Sequence, residues 1–362
     1  MKEIVYISSI PWNFSWHRQQ EMMSKMAEKE NKILFVQPCQ KAHPFNYSIN
    51  NIKKNVWVLN TPGLPYERCF SFINTINGKI SKHYILKAMQ VIGMENPIVW
   101  LDRVHGFDFK FFSLKYDTVY DLVDEILSFG RMRNEKMLIK LENQVLNSSK
   151  LLISSSQTLL ERKIRQSGRE GVSKFIPNGV DTTRFSGEKT ETFITDRAFP
   201  RIGFIGDISK RRIDFELVKE LASRNKKWEF IFIGPGNPND KTELKEENIY
   251  VYDAVPGEMI PSIIESFDIG IIPYKVDKND MDYIFPRKAC EYLAAGKSVV
   301  STPLSEIKDL SPYIRIANNA IDFEKKIQES FEDTNIEDKK KFAKKFDWDT
   351  LTQEIMAELS KW

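Results

Sequence analysis

No apolar stretch in these 362 residues approaches the roughly 20 consecutive residues that a membrane span requires. Cysteine is scarce: Cys39, Cys69 and Cys290 are widely spaced and odd in number, so neither a disulfide framework nor a zinc site is implied. The four histidines, His17, His43, His83 and His105, lack the spacing of metal ligands. Met1-Lys2-Glu3 leads into a short apolar run, Ile4 to Ile7, with no small-residue cleavage site behind it, which is not the pattern of a secretory signal. Internal repeats are absent, and the only biased tract is Lys339-Lys340-Lys341. A reducing cytoplasm is the expected compartment.

What is present is ordinary globular material, 41% hydrophobic, 28% charged and 12% aromatic, in a length that suits two cores rather than one. The net charge of +3 conceals an asymmetry. Residues 1–185 carry 26 Lys+Arg against 17 Asp+Glu, and residues 186–362 carry 27 against 33. A basic first half suits an anionic partner such as a phospholipid surface, a lipid diphosphate or an acidic glycan. A solvated charged surface explains it equally well. Nucleic acid is disfavoured, because no recognisable nucleic-acid module is present.

Short apolar runs alternate with helical periodicity along the whole chain. Strands are predicted at 4–7, 32–36, 56–59, 98–101, 118–120, 151–153 and 174–176, with helices between them at 18–28, 70–92, 134–147 and 158–166. Several runs are apolar throughout, as strands buried on both faces must be. The pattern breaks after Asn178-Gly179-Val180-Asp181, and residues 186–200 are polar and aperiodic, which reads as a linker. Strands then recur at 201–205, 229–233, 249–252, 268–272, 298–301 and 314–316, with helices at 214–224, 258–266, 286–295, 320–332 and 337–359. Such βα alternation predicts an α/β protein of two Rossmann-like domains. Their expected limits are 1–185 and 186–344, with a helix at 345–362 placed to pack back on the first.

The most informative segment runs from Pro286 through Arg287, Lys288, Ala289, Cys290, Glu291 and Tyr292 to Gly296 and Val300. Proline suits a helix start, and Gly296 suits its end. Lys288 falls in the first turn, beside free backbone N–H groups that favour an anion. Glu291 lies three residues on, hence on the same face. A cation for phosphate and a carboxylate for ribose hydroxyls one turn apart would serve a nucleotide diphosphate. Taken alone, the segment reads equally as a Lys–Glu helix pair with a C-cap glycine.

Three further segments accompany it in order: Phe175-Ile-Pro-Asn-Gly-Val-Asp-Thr-Thr-Arg-Phe185, Arg201-Ile-Gly-Phe-Ile-Gly-Asp207 and Ile271-Ile-Pro-Tyr274. Together these four resemble the GT-B glycosyltransferases, especially glycosyltransferase family 4 and its teichuronic-acid-type relatives. The resemblance implies two Rossmann-like domains whose parallel sheets face a central cleft. It also implies hexosyl transfer from a nucleotide-sugar donor, UDP-sugar first, to a glycan or lipid-linked acceptor in surface polysaccharide or glycolipid assembly. Work at the inner face of the plasma membrane follows from the same likeness. In it Gly206 begins a turn that brings backbone to the donor phosphates, Arg212 or its neighbour Lys210 pairs with the diphosphate beside Lys288, and Glu291 binds the ribose. Two cations on the leaving group remove the need for a metal, and no cofactor is expected. Gly234-Pro235-Gly236 follows another strand and either lines the base site or is a plain turn. Many retaining members carry a second glutamate seven residues before the one matching Glu291; here that position is Ile284. Asp280-Met281-Asp282 spells the metal motif of a different glycosyltransferase fold, but in a polar loop rather than at a strand end.

The acceptor side is marked less sharply. Asp121 and Asp124 follow a predicted strand and are candidate proton acceptors for an inverting transfer. His105 follows another strand and is the histidine best placed to assist a retaining one. Each also reads as a loop cap or an exposed side chain. The turn from Ser8 to Arg18 concentrates Trp12, Phe14 and Trp16, rings that suit a sugar face or simply a core. Residues 70–89 set Phe70, Phe72, Ile73, Ile76, Ile80 and Leu86 against Arg68, Lys79, Lys82 and Lys87, a basic amphipathic pattern that suits either an anionic membrane or the protein's own sheet. Two other function classes share these features: a non-catalytic nucleotide-sugar-binding partner, which the Ile284 departure favours, and a nucleotide-sugar epimerase of the same fold.

Overall fold

The computed structural model describes residues 1–14, 16–39, 45–127, 134–186, 200–276 and 283–362. The chain divides into two compact units, Met1–Pro177 and Asn178–Trp362. The break lies eight residues before the expected 185/186 boundary, because Asn178 to Phe185 is bound to the end of the chain. Val180 pairs with Asp347, the Thr182 amide donates to Asp347 Oδ2 at 2.9 Å, and a Cβ on Gly179 would meet Phe346 O at 2.7 Å. The C-terminal helix belongs to the second unit. Most of the expected linker, and Asp280-Met281-Asp282, lie outside the described residues.

The first unit is an eight-stranded sheet flanked by helices. Its strands are β1 (Glu3–Ile7), β2 (Lys32–Val36), β3 (Ser48–Lys53), β4 (Val56–Asn60), β5 (Ile98–Leu101), β6 (Thr118–Leu122), β7 (Leu151–Ser154) and β8 (Val172–Phe175). They lie in the order β3-β4-β2-β1-β5-β6-β7-β8, and only β3 runs antiparallel to its neighbour. The connecting helices are α1 (Arg18–Glu28), α2 (Ser71–Ile92), α3 (Phe109–Lys115), α4 (Glu135–Ser148) and α5 (Gln157–Ser167). Central strands such as Ile98-Val99-Trp100-Leu101 are buried at every position, as helices on both faces require. Edge strand β3 reads Ser-Ile-Asn-Asn-Ile-Lys, has no apolar run, and is the strand that periodicity misses.

The second unit is a six-stranded, wholly parallel sheet. It comprises β9 (Arg201–Ile205), β10 (Glu229–Ile233), β11 (Ile249–Tyr252), β12 (Ile269–Ile272), β13 (Ser298–Ser301) and β14 (Ile314–Ile316), in the order β11-β10-β9-β12-β13-β14. Its helices are α6 (Phe215–Arg224), α7 (Pro238–Leu244), α8 (Ile260–Glu265), α9 (Arg287–Ala294), α10 (Ala320–Phe331), α11 (Ile336–Ala343) and α12 (Trp348–Leu359). The single helix expected over 337–359 is therefore two, separated by the short turn Lys344–Phe346. Asp347 starts the second by accepting from the Asp349 amide.

Strand order locates the places where each sheet opens. From β1 the chain winds one way through β2 and β4, then returns to lay β5 on the other side of β1. In the second unit the same reversal falls between β9 and β12. At such reversals the connections leave in opposite directions, and the carboxyl ends of the two strands are exposed to a ligand.

Candidate functional site

In the second unit the reversal is built around glycine. Gly203 of β9 faces Gly270 of β12. A Cβ on Gly203 would lie 2.0 Å from the Phe267 ring, and one on Gly270 would lie 2.4 Å from the Tyr292 ring. Missing side chains here let Tyr292 of α9 lie across the sheet, where its hydroxyl accepts from the Ile205 amide at 3.0 Å. That hydrogen bond ties α9 to the last residue of β9. Lys288, one turn earlier in α9, is thereby carried to the turn that follows β9.

At that turn two backbones meet. Gly206 and Gly234, the residues after β9 and β10, have φ of +151° and +155°. A Cβ on Gly234 would sit 1.9 Å from Gly206 O, and one on Gly236 would sit 2.3 Å from Ile208 O. A Cβ on Gly206 would come within 3.2 Å of Lys288 Nζ. The glycines thus leave bare backbone facing an ammonium, the composition of an anion cradle.

Lys288 is only 9% exposed. Its Nζ donates to the Tyr274 hydroxyl and lies 4.7 Å from the Tyr274 ring and 5.0 Å from the Phe204 ring. Among the described residues no carboxylate comes within 4.0 Å of it. Glu291, equally buried, pairs instead with Arg287, whose Nε is 2.8 Å from its Oε1. The Lys288–Glu291 helix pair that spacing alone allows does not form, and the two side chains keep separate partners.

The other expected diphosphate ligands are placed less closely. Arg212 is about half exposed on the loop after Gly206, with its Nε 3.5 Å from Asp207 Oδ2. Lys210 is engaged with Glu243 of α7, and its amide donates to Asp240 at 3.1 Å. Ile284 is a half-buried hydrocarbon just ahead of α9. Asn178 opens the second unit, where its side chain donates to Phe285 O at 3.0 Å.

In the first unit the reversal between β1 and β5 gathers a different set of groups. Asp121 of β6 is 1% exposed and paired with Arg18 at 3.1 Å. Arg18 also donates to the carbonyls of Ile176 and Pro177 at 2.7 and 2.9 Å, so it ties Asp121 of β6 to the segment after β8. Burial raises the Asp121 carboxyl, against the pull of Arg18. Asp124 is exposed and partnered. His105 is buried, its Nε2 accepts from Arg68 Nε at 2.9 Å, and burial, with Arg68 and Arg103, holds its pKa well below the usual imidazole value. Phe14 and Trp16 are exposed, whereas Trp12 is core, edge-on to Phe35.

The residue that motif reading misses is Asp102, immediately after β5. It accepts from the Ser9 amide at 2.6 Å, Ser9 Oγ at 3.1 Å, Gln19 at 2.7 Å and the Tyr6 hydroxyl at 3.2 Å. Burial, opposed by these donors and reinforced by Asp121, pushes its carboxyl up to about 6. The available signal is its place directly behind an apolar strand, the same signal that singles out Asp121.

Two doubly wound sheets of mostly parallel strands, one in each unit, are the architecture of the GT-B fold. Residues 199–333 match the family described as "Glycosyl transferases group 1". Over 240 residues the chain is 32% identical to TuaH of Bacillus subtilis, a putative teichuronic acid biosynthesis glycosyltransferase; the match covers 61% of this chain and 59% of that relative. The fold is similar to that of HepE from Anabaena in complex with UDP (TM-score 0.72, 16% identity, 100% of both chains). It is similar also to that of sucrose-phosphate synthase from Thermosynechococcus elongatus (TM-score 0.71, 11% identity, 100% of this chain and 98% of that one). The chain thus resembles the group 1 glycosyltransferases, most directly through its second unit.

Proposed function

We propose that this protein is a glycosyltransferase that takes a sugar from a nucleotide-diphosphate sugar, UDP-sugar first, and passes it to a hydroxyl of a glycan or lipid-linked acceptor in surface polysaccharide assembly. The observation that carries the reading is Lys288: an ammonium, nine-tenths buried, with no carboxylate partner among the described residues, against the bare backbone of Gly206, on which Gly234 packs. Burying an unpaired charge is costly, and a site that tolerates it is suited to an anion that arrives later. Diphosphate oxygens would complete the coordination of Lys288, while Glu291 accepts from the ribose hydroxyls. Arg212, released from Asp207, would supply a second cation. With two cations on the leaving group, transfer would proceed without a divalent metal. The putative teichuronic acid role of the Bacillus subtilis relative and the UDP in the Anabaena complex support the choice of donor and pathway class.

Radiolabelled transfer from a panel of UDP-, GDP- and dTDP-sugars, run with and without EDTA, tests this directly. Transfer that persists in EDTA is expected. Binding without transfer would favour the non-catalytic partner, for which Ile284 speaks, and an altered sugar nucleotide formed without acceptor would favour an epimerase. Glu291→Ala is expected to weaken UDP binding by about 1.5–3 kcal/mol, the worth of hydrogen bonds to a charged group. An unchanged dissociation constant would remove the ribose assignment.

A further inference from the structure

The ammonium of Lys288 ends a flexible four-carbon side chain, yet the structure fixes it without any opposite charge among the described residues. We propose that Tyr274, assisted by Phe204, is the positioning residue that holds Lys288 ready for the donor's diphosphate; this rests on the donor reading above. Three observations carry it. The Tyr274 hydroxyl accepts from Lys288 Nζ, and the rings of Tyr274 and Phe204 lie 4.7 and 5.0 Å from the same nitrogen. Tyr274 is itself immobilised: it is 2% exposed, its carbonyl accepts from Thr302 Oγ1 at 2.7 Å, and its ring stands edge-on to Phe204 at 6.2 Å. It stands two residues beyond β12, across the reversal from β9, where its hydroxyl reaches the lysine that faces Gly206. Such burial keeps Tyr274 from reaching the donor, so it acts through Lys288.

The choice of a phenol has a physical consequence. A carboxylate in its place would hold the lysine firmly but neutralise it, leaving little net attraction for phosphate. The face of Phe204 and the phenol oxygen of Tyr274 localise the ammonium while leaving its charge intact. Of the three N–H donors of Lys288, one is taken by Tyr274 and two remain for phosphate oxygens. Affinity for the diphosphate, and not for the nucleoside, should therefore depend on Tyr274.

Calorimetric titration of the full chain with UDP, UMP and uridine, in EDTA, tests this. Wild type is expected to prefer UDP, and Lys288→Met to lose that preference. Tyr274→Phe keeps the ring but removes the acceptor, and should weaken UDP by about 3- to 10-fold while UMP and uridine stay within about twofold. In the Lys288→Met background Tyr274→Phe should have no further effect on UDP, because a residue acting only through Lys288 has nothing left to act on. Tyr274→Leu, which removes ring and hydroxyl together, should approach Lys288→Met in UDP affinity; should it fail to fold, the Phe variant and the double variant decide. The proposal is overturned if Tyr274→Phe leaves UDP affinity unchanged, lowers UDP and uridine in proportion, or retains its effect without Lys288. A wild type that binds UDP no better than uridine overturns the donor reading itself, and this proposal with it.

Discussion

At the residue scale, the two reversals hold groups of opposite character, and each is kept in a state that costs stability. Removing the Lys288 charge should therefore separate stability from binding. Lys288→Met fills the same space without burying an ammonium, so it is expected to leave stability unchanged or raise it by up to about 2 kcal/mol, while UDP affinity falls. A melting curve and a UDP titration on the same sample check both halves; a variant that loses stability and binding together would mark Lys288 as structural. Asp102 gives the corresponding test in the first unit. Its folded-state pKa, about 6, lies above the 3.8 of an ordinary aspartate. A carboxyl raised on folding contributes stability that is fully present below its unfolded pKa and is lost as pH rises through its folded one. The stability advantage of wild type over Asp102→Asn should then shrink by about 2–3 kcal/mol between pH 3.5 and 7.5, since a tenfold change in proton affinity corresponds to about 1.4 kcal/mol. Urea unfolding of both proteins across that range is the measurement, and a difference independent of pH would show that Asp102 is not perturbed.

At the scale of elements, the cradle depends on how closely two turns approach. Gly234→Ala drives a methyl into the Gly206 carbonyl, backbone against backbone, and should destabilise the protein by about 2–3 kcal/mol. Gly206→Ala meets the flexible end of Lys288 instead. It should cost less stability and relatively more UDP affinity, because the side chain it displaces is the proposed ligand. Most of this architecture can be read from periodicity: β2, β5, β9, β10 and β13 fall where apolar runs put them, since a strand buried on both faces has no other way to be written, and the half-buried edge strands β11 and β14 fall at their expected bounds too. Elements without such a run carry no comparable signal, among them β3, the short α3, and α7 between Asn237 and Lys245. The place of Lys288 in the first turn of α9 is legible because a helix start carries a local signal, whereas Gly206 is singled out only through the family likeness. Tyr274 and Asp102 are not legible, because their roles arise from strand order, which brings residues far apart in sequence to one reversal. The Lys288–Glu291 spacing does put both on one helix face, yet Arg287 takes the carboxylate and leaves the lysine to the rings. Competition between partners is settled by packing, not by spacing.

At the scale of the whole molecule, charge is divided between the units. Residues 1–177 carry 25 Lys+Arg against 16 Asp+Glu, whereas residues 178–362 carry 28 against 34. In the first unit the solvent-facing stripe of α2 begins with Phe72 and Ile76 and continues with Lys79, His83 and Lys87, beside exposed Tyr66 and Phe70. No helix among the described residues is long and apolar enough to cross a bilayer. The anionic lipid surface expected from the basic first half would, on this placement, be met by α2. Basic residues near such a surface contribute about 1 kcal/mol each, screened within a Debye length of about 8 Å at physiological salt. Sedimentation with phosphatidylglycerol vesicles should therefore pull the protein down at low salt and release it progressively as salt rises, whereas phosphatidylcholine vesicles should not retain it. Phe72→Asp with Ile76→Asp should abolish retention without altering UDP affinity, because α2 and the donor cradle belong to different units. Undiminished retention by this double variant would move the lipid contact away from α2, and a wild type that is not retained would assign the basic character of the first unit to solvation alone.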